Sequence, residues 1–236
     1  NYNTIDKMKS SLTQKISFII FLIVLIVSCK KEDPIKEETY GKLQFNFQHY
    51  YDGLPIMYDS LIYENEAGNK LMINEIQYFI SDIILIDEND KQVFIKENNS
   101  IYYVDIDIPS TLTWDLADNI PIGNYKAISF TFGISASKNI PNMFVNPPER
   151  DMFWPIHLGG EQGGYHYLKL NGKWLPDAKT QLMPFNFHLG VGQEYSDSGT
   201  IVGFIQNYFS LTLHSNIIIE KDKTTQITLV MNIEEW

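Results

Sequence analysis

The sequence predicts an all-β protein, an antiparallel β-sandwich of the immunoglobulin or cupredoxin kind. Apolar and polar residues alternate along several short segments, and turn-forming residues separate these segments. Aromatic residues make up 14% of the chain and are mostly tyrosine and phenylalanine, which favour strands. No segment has the sustained apolar periodicity of an amphipathic helix. Many short strands divided by turns are typical of a sandwich or a barrel.

The first predicted strand shows the clearest alternation. One of its faces is apolar apart from a histidine and consists of Leu43, Phe45, Phe47, His49 and Tyr51. A turn signal, Asp52-Gly53, ends this strand. Residues 71–87 are rich in β-branched and aromatic residues, so they are predicted to form a long second strand, with residues 92–96 as its hairpin partner.

The remaining strands are predicted by the same criteria. They cover residues 101–108, 125–133, 165–170, 185–189, 202–213, 217 onward and 226–233. Residues 111–118 are expected to make one or two helical turns. Residues 135–164 differ from all of these because they are rich in proline and glycine. A connection of this length usually carries function, and we expect the same of this one.

The N-terminal segment is typical of a bacterial lipoprotein signal peptide covering residues 1–28. Two lysines, Lys9 and Lys15, precede an apolar run at residues 16–27, and a small residue stands directly before Cys29. This run is shorter than the roughly 20 residues that a membrane span needs, although an uncleaved anchor with an incidental cysteine is the alternative. We expect lipid on Cys29 to hold the protein at the outer membrane, on its periplasmic or surface side.

The domain boundaries follow from this prediction. Residues 29–40 are polar and charged and form the expected tether, and residues 41–236 form the folded domain. Since Cys29 is the single cysteine of the chain, it cannot form an intramolecular disulfide.

The composition excludes one class of partner and disfavours several activities. The formal net charge is −11, and it becomes more negative once the lysine-containing signal peptide is removed. Such a chain lacks the basic clusters that bind nucleic acid, so no nucleic-acid partner is expected. The sequence also lacks a Gly-x-Ser-x-Gly elbow, a phosphate loop and a dinucleotide fingerprint. We therefore predict that the protein is not an enzyme.

Histidines are the residues with the clearest metal-binding chemistry. None has the spacing of a zinc finger or of a metalloprotease helix, but sandwich folds can assemble ligands from distant strands. Position alone favours a structural role for His49, on its apolar face, and for His166, which shares a face with Leu168. Both roles stay open for His188, on the polar face of its strand, and for His157, in the long connection.

Several segments, taken in order, resemble one known family. They are Phe45-x-Phe-x-His49 with Asp52-Gly-Leu-Pro55, IQYFISDI at 76–83, Pro121-x-Gly-x-Tyr125 leading into Ser129-Phe-x-Phe-Gly133, Asn139, Met152-Phe-Trp154, GYHYLKLNG at 164–172 and Phe185-x-Phe-His-x-Gly190. Together they resemble MbnP, a family of periplasmic copper-binding proteins, and specifically its lipoprotein branch in Bacteroidetes. The resemblance runs from residue 42 to about residue 189 and is weaker beyond.

The resemblance implies a copper site. In this family histidines hold copper together with a tryptophan that can be oxidised to kynurenine, and a di-haem cytochrome c peroxidase is the implied partner. By position His49, His188 and Trp154 match the ligand set. This chain departs from the family pattern by an insertion that contains His157 and by a histidine at residue 166, so His157 and His166 are further candidate ligands. Such an open site suits Cu(I) better than Cu(II).

Two functions are compatible with these features. The first is a lipid-anchored, non-enzymatic protein for periplasmic or surface copper acquisition or handling. The alternative is a surface lipoprotein module that binds a glycan or a peptide. It is supported by the aromatic content and by Trp154 and Tyr165 in or beside the long connection. The sequence carries no signal for the oligomeric state.

Overall fold

Strands dominate the part of the protein that the structure describes. The computed structural model describes residues 39–117, 119–154, 163–176 and 180–236. The predicted signal peptide, Cys29 and most of the predicted tether lie outside the described residues. Within these ranges, no helix combines the length and apolar character that crossing a membrane requires.

The described strands are numbered in chain order. They are β1 (Tyr40–Tyr51), β2 (Leu54–Pro55), β3 (Tyr63–Glu64), β4 (Lys70–Asp87), β5 (Gln92–Phe94), β6 (Ile101–Asp105), β7 (Thr113–Asp115), β8 (Ile120–Pro121), β9 (Gly123–Phe132), β10 (Leu168–Leu175), β11 (Met183–Leu189), β12 (Gly192–Tyr195), β13 (Ile201–Ile205), β14 (Phe209–Ile219) and β15 (Thr224–Asn232). Short 3-10 turns lie at Glu97–Ser100, Pro109–Leu112, Glu149–Met152 and Ile233–Glu235.

Two sheets face each other, as the sequence predicts. The first sheet is built on β1, which pairs parallel with β15 and antiparallel with β2, β7 and β8. The second is built on the long strand β4. Its first half pairs with β10 and its second half with β9, and β11 and β14 lie outside these two. A separate hairpin, β12–β13, follows β11. Apart from the parallel β1–β15 pair, the pairing between these strands is antiparallel.

The inner core lies between the two sheets and explains the alternation in β1. Leu43, Phe45 and Phe47 are at most 4% exposed, and residues between them face outward. They pack with residues of β4 such as Ile76 and of β10 such as Leu168. Each large apolar side chain buried in this way contributes about 1.5–3 kcal/mol.

A second core, here called the outer core, lies on the other face of the second sheet. It contains Phe79 of β4 together with Met152, Tyr165 and Tyr167 from the long connection and the residues that follow it. Because the neighbours of Phe79 along β4 point into the inner core, the middle of this strand is buried on both faces. Burial on both faces explains the unbroken apolar run at residues 78–80, whereas Glu75 and Gln77 on the outer face are polar and only partly buried.

Three details of the sequence prediction are wrong. The separate strand predicted from residue 217 onward is the end of β14, which runs from Phe209 to Ile219. Residues 202–213 form two strands because the intervening segment binds elsewhere. The Gln206 side chain accepts a hydrogen bond from Tyr167, and the Asn207 side chain donates one to the carbonyl of Gly190. The helical turns predicted at residues 111–118 are replaced by the end of a 3-10 turn and by β7. The central residue of β7, Trp114, is buried against Phe45 of the inner core.

Candidate metal centre

The structure brings together three of the residues that the sequence analysis selected. The indole of Trp154 lies against the imidazole of His166, with 4.6 Å between ring centroids and an interplanar angle of 81°. The imidazole of His166 lies against that of His188, with 4.9 Å between centroids and an angle of 89°. We call the two imidazoles the His166–His188 pair.

Backbone hydrogen bonds hold Trp154 beside His166. The amide of Trp154 donates to the carbonyl of Gly164 at 2.7 Å, and the amide of His166 donates to the carbonyl of Met152 at 2.6 Å. These bonds join the end of the long connection to the segment that leads into β10. The two side chains are therefore neighbours in space although residues 155–165 separate them in the sequence.

Asn139 anchors the segment that carries His166. Its side-chain oxygen accepts a hydrogen bond from the amide of Tyr165 at 2.9 Å, and its amide nitrogen donates to the hydroxyl of Tyr167 at 3.2 Å. The preceding residue, Gly164, has a φ of +91°, and a Cβ there would collide with the Asn139 side chain. Only glycine satisfies both requirements at this position.

A second glycine accommodates the indole of Trp154. A Cβ added at Gly190 would lie 2.5 Å from the indole ring, well inside van der Waals contact. The indole nitrogen donates to the carbonyl of Val191 at 3.0 Å. Trp154 is therefore held against the backbone that directly follows β11, the strand that carries His188.

The ring of His166 is buried and has one nitrogen already bonded. Its Nδ1 lies 2.9 Å from the carbonyl oxygen of Met152. Because a carbonyl only accepts, Nδ1 carries the hydrogen and Nε2 keeps a free lone pair. Desolvation lowers the pKa of His166 to about 4, and the charge of Lys169 acts in the same direction. His166 is therefore neutral at pH 7.

The ring of His188 is more exposed and is bonded through the other nitrogen. Its Nε2 lies 2.9 Å from the side-chain oxygen of Asn171, which again only accepts, so Nδ1 keeps the free lone pair. Desolvation and the nearby Lys169 lower the pKa of His188. Both members of the pair are thus neutral imidazoles at pH 7, each with one free nitrogen.

The separation of the two rings lies within the limit that a shared metal ion sets. A metal–imidazole bond is about 2.0–2.1 Å long, so two rings that bind one ion have centroids within roughly 6 Å of each other. The separation of 4.9 Å meets this condition. No group of three or more His, Cys, Asp or Glu residues is arranged as a metal site within the described ranges. An ion held by this pair would therefore have few protein ligands from the described residues.

The structure places His49 elsewhere, in the inner core. It is 5% exposed, as its position on the apolar face of β1 predicts. Its Nδ1 lies 3.1 Å from the hydroxyl of Tyr58, and its buried Nε2 has no hydrogen-bond partner. Its ring lies edge-on to Tyr78, and burial lowers its pKa to about 4. His157 lies outside the described residues.

The second sheet separates His49 from the His166–His188 pair. Register partners across β4, β10 and β11 share a face, and successive rows alternate between faces. The inner row is Tyr78, Leu168 and Leu189, and the outer row is Gln77, Lys169 and His188. Because His49 contacts the inner row and His188 belongs to the outer row, one ion cannot bind both in this arrangement.

Comparison with known proteins agrees with this architecture. The sequence model of the MbnP family matches residues 40–236. The chain belongs to the MbnP family. Among solved structures it is similar to MbnP from Methylosinus trichosporium, with a TM-score of 0.51 and 15% identity over 72% of this chain and 70% of that one. At this identity the similarity supports the fold. A search of curated protein sequences gives no match.

Sequence reasoning missed two residues of the site in this MbnP-family chain. They are Asn171, which binds His188, and Glu75, which binds Asn171. Asn171 lies within the segment GYHYLKLNG, so the resemblance contained it but gave it no role. His166 was expected on the face of Leu168. Its ring instead contacts His188 on the opposite face, because β10 becomes regular only at residue 168.

Proposed function

We propose that this MbnP-family protein is a non-enzymatic copper-binding protein in which the His166–His188 pair holds the ion beside Trp154. One observation carries the proposal. One ring nitrogen of each imidazole lies 2.9 Å from a fixed oxygen that only accepts, so this nitrogen is assigned the hydrogen and the other nitrogen is assigned to the ion. Histidines that bind metals almost always donate a hydrogen bond from their other ring nitrogen to an oxygen, since this bond fixes the orientation and the protonation of the ring.

The donor chemistry supports Cu(I) over Cu(II). Two neutral imidazoles without a third His, Cys, Asp or Glu ligand in the described part of the chain form a low-coordinate site. The contact between Trp154 and His166 puts an oxidisable indole next to that site. Oxidation of Trp154 to kynurenine, with a di-haem cytochrome c peroxidase as partner, is the part of the proposal that rests on the family resemblance.

The proposed role is copper acquisition or handling outside the cytoplasm. It rests on the signal-like segment before Cys29 and on the family. Intact-protein mass spectrometry of material from the native host tests the lipid anchor, because acylation of Cys29 adds a defined mass to a chain that begins there. A mature chain without this added mass contradicts the anchor and leaves the copper site untouched.

An anaerobic titration tests the proposed function. Metal-free protein is titrated with Cu(I) in competition with a chromophoric Cu(I) chelator, and Zn(II) is titrated separately for comparison. We expect one Cu(I) ion per chain and weaker binding of Zn(II), which prefers four ligands. Failure to withdraw Cu(I) from even a weak chelator contradicts the proposed function.

A further inference from the structure

A chain of three side chains crosses the outer face of the second sheet and ends at the proposed copper site. It runs from the carboxylate of Glu75 on β4, through the amide of Asn171 on β10, to the imidazole of His188 on β11. We propose that Glu75 and Asn171 are positioning residues that fix Nδ1 of His188 as its copper-binding atom. This inference rests on the proposed function but is tested without copper.

The strand register supplies the geometry of the chain. Asn171 is the register partner of Glu75 on one side and of Asn186 on the other, so these side chains share one face. The pairing of β10 with β4 shifts in register directly after this pair, between Asn171 and Gly172, as it does at a β-bulge. Bulges re-aim side chains and recur beside functional sites. From this position Asn171 reaches diagonally to His188, two residues along β11 from its direct partner.

Hydrogen-bond chemistry gives each link one direction. The carboxylate of Glu75 only accepts hydrogen bonds, so the amide nitrogen of Asn171 donates to it. The amide oxygen of Asn171 must then face His188, and because this oxygen also only accepts, Nε2 of His188 carries the hydrogen. The half-buried carboxylate of Glu75 therefore selects the tautomer of His188 through Asn171, without a hydrogen bond of its own to the histidine.

The two histidines thereby present different nitrogens to the same ion. The Met152 carbonyl leaves Nε2 of His166 free, and the Glu75–Asn171 chain leaves Nδ1 of His188 free. His166 is buried, whereas His188 is exposed. The exposed ligand is therefore the one that needs a dedicated side-chain partner.

Nuclear magnetic resonance of the metal-free protein tests the inference. Long-range proton–nitrogen correlation spectra of histidine-labelled protein at pH 7 identify the protonated nitrogen of each ring. We expect Nε2–H for His188 and Nδ1–H for His166 in the wild type. Asn171→Leu should give His188 a mixture of tautomers while His166 stays unchanged, which serves as the internal control for folding.

A matched pair of variants separates positioning from a structural role. Glu75→Gln keeps an acceptor oxygen for the Asn171 amide and should preserve the His188 tautomer, whereas Glu75→Leu should lose it. Asn186→Leu changes an exposed neighbour on the same face and should have no effect. Nδ1–H in wild-type His188, or an unchanged tautomer in Asn171→Leu, overturns the inference.

The copper readout follows from the same variants. Loss of the residue that hydrogen-bonds to a metal-binding histidine typically weakens metal binding about 10–100-fold. We expect a loss of this size in Asn171→Leu and none in Asn186→Leu. If Asn171→Leu binds Cu(I) as tightly as the wild type does, the positioning role is overturned while the proposed function stands.

Discussion

Cu(I) affinity falls by at least about 100-fold when either His166 or His188 is replaced by alanine. Removal of a side chain that hydrogen-bonds to a metal ligand already lowers metal affinity by up to about 100-fold. Removal of the ligand itself should lower it by no less. In each variant the remaining imidazole binds the ion alone, because no other His, Cys, Asp or Glu group in the described residues completes the site. Anaerobic competition with a Cu(I) chelator measures both losses.

Two further histidine variants make this result specific. His214 is exposed on β14, so His214→Ala should bind Cu(I) as the wild type does. His49→Leu should also keep its affinity, because His49 faces the inner core on the far side of the second sheet. A large loss in His49→Leu with none in His166→Ala would favour the ligand set that the family resemblance implied over the one that the structure assembles.

The His49→Leu variant should also be less sensitive to acid than the wild type. Burial lowers the pKa of His49 from 6.5 to about 4 in the folded protein. The unfolded chain therefore binds a proton at His49 between these two pH values and the folded protein does not. The contribution of neutral His49 to the free energy of unfolding is fully present above pH 6.5 and is lost as the pH falls toward 4. For His49 the loss between pH 7 and pH 5 is about 2 kcal/mol.

Urea denaturation of the metal-free protein at pH 7 and at pH 5 measures this effect. The wild type should lose stability between the two conditions, with His166 contributing in the same direction because its pKa is also lowered to about 4. His49→Leu should remove about 2 kcal/mol of that difference. An equal pH dependence in His49→Leu and the wild type would show that His49 does not titrate in this way.

Local sequence pattern was sufficient to predict most of the fold. Alternation identified the buried face of β1, and the extended apolar run identified β4 as a single long strand. These signals are local, since each residue's burial is set by its own position on a strand. The break between β13 and β14 has a cause that is not local in the sequence. It depends on the bonds from Gln206 and Asn207 to residues 167 and 190, which no pattern near residue 206 reveals.

The site was predictable as a set of residue types but not as an arrangement. Trp154 and His166 meet because the long connection folds back on the start of β10, and this contact depends on Asn139 and Gly164. Alternation placed His166 on the wrong face, since it assumed a regular strand from residue 165. Conversely, alternation placed His49 correctly in the core, and the resemblance did not show that the sheet separates it from His188.

The position of the bound ion tests the central claim most directly. Crystals of the Cu(I)-loaded protein, measured on both sides of the copper absorption edge, give an anomalous difference map that locates copper alone. We predict one peak that bridges Nε2 of His166 and Nδ1 of His188, next to Trp154. A peak in the inner core against Nε2 of His49, with none at the His166–His188 pair, would contradict the account.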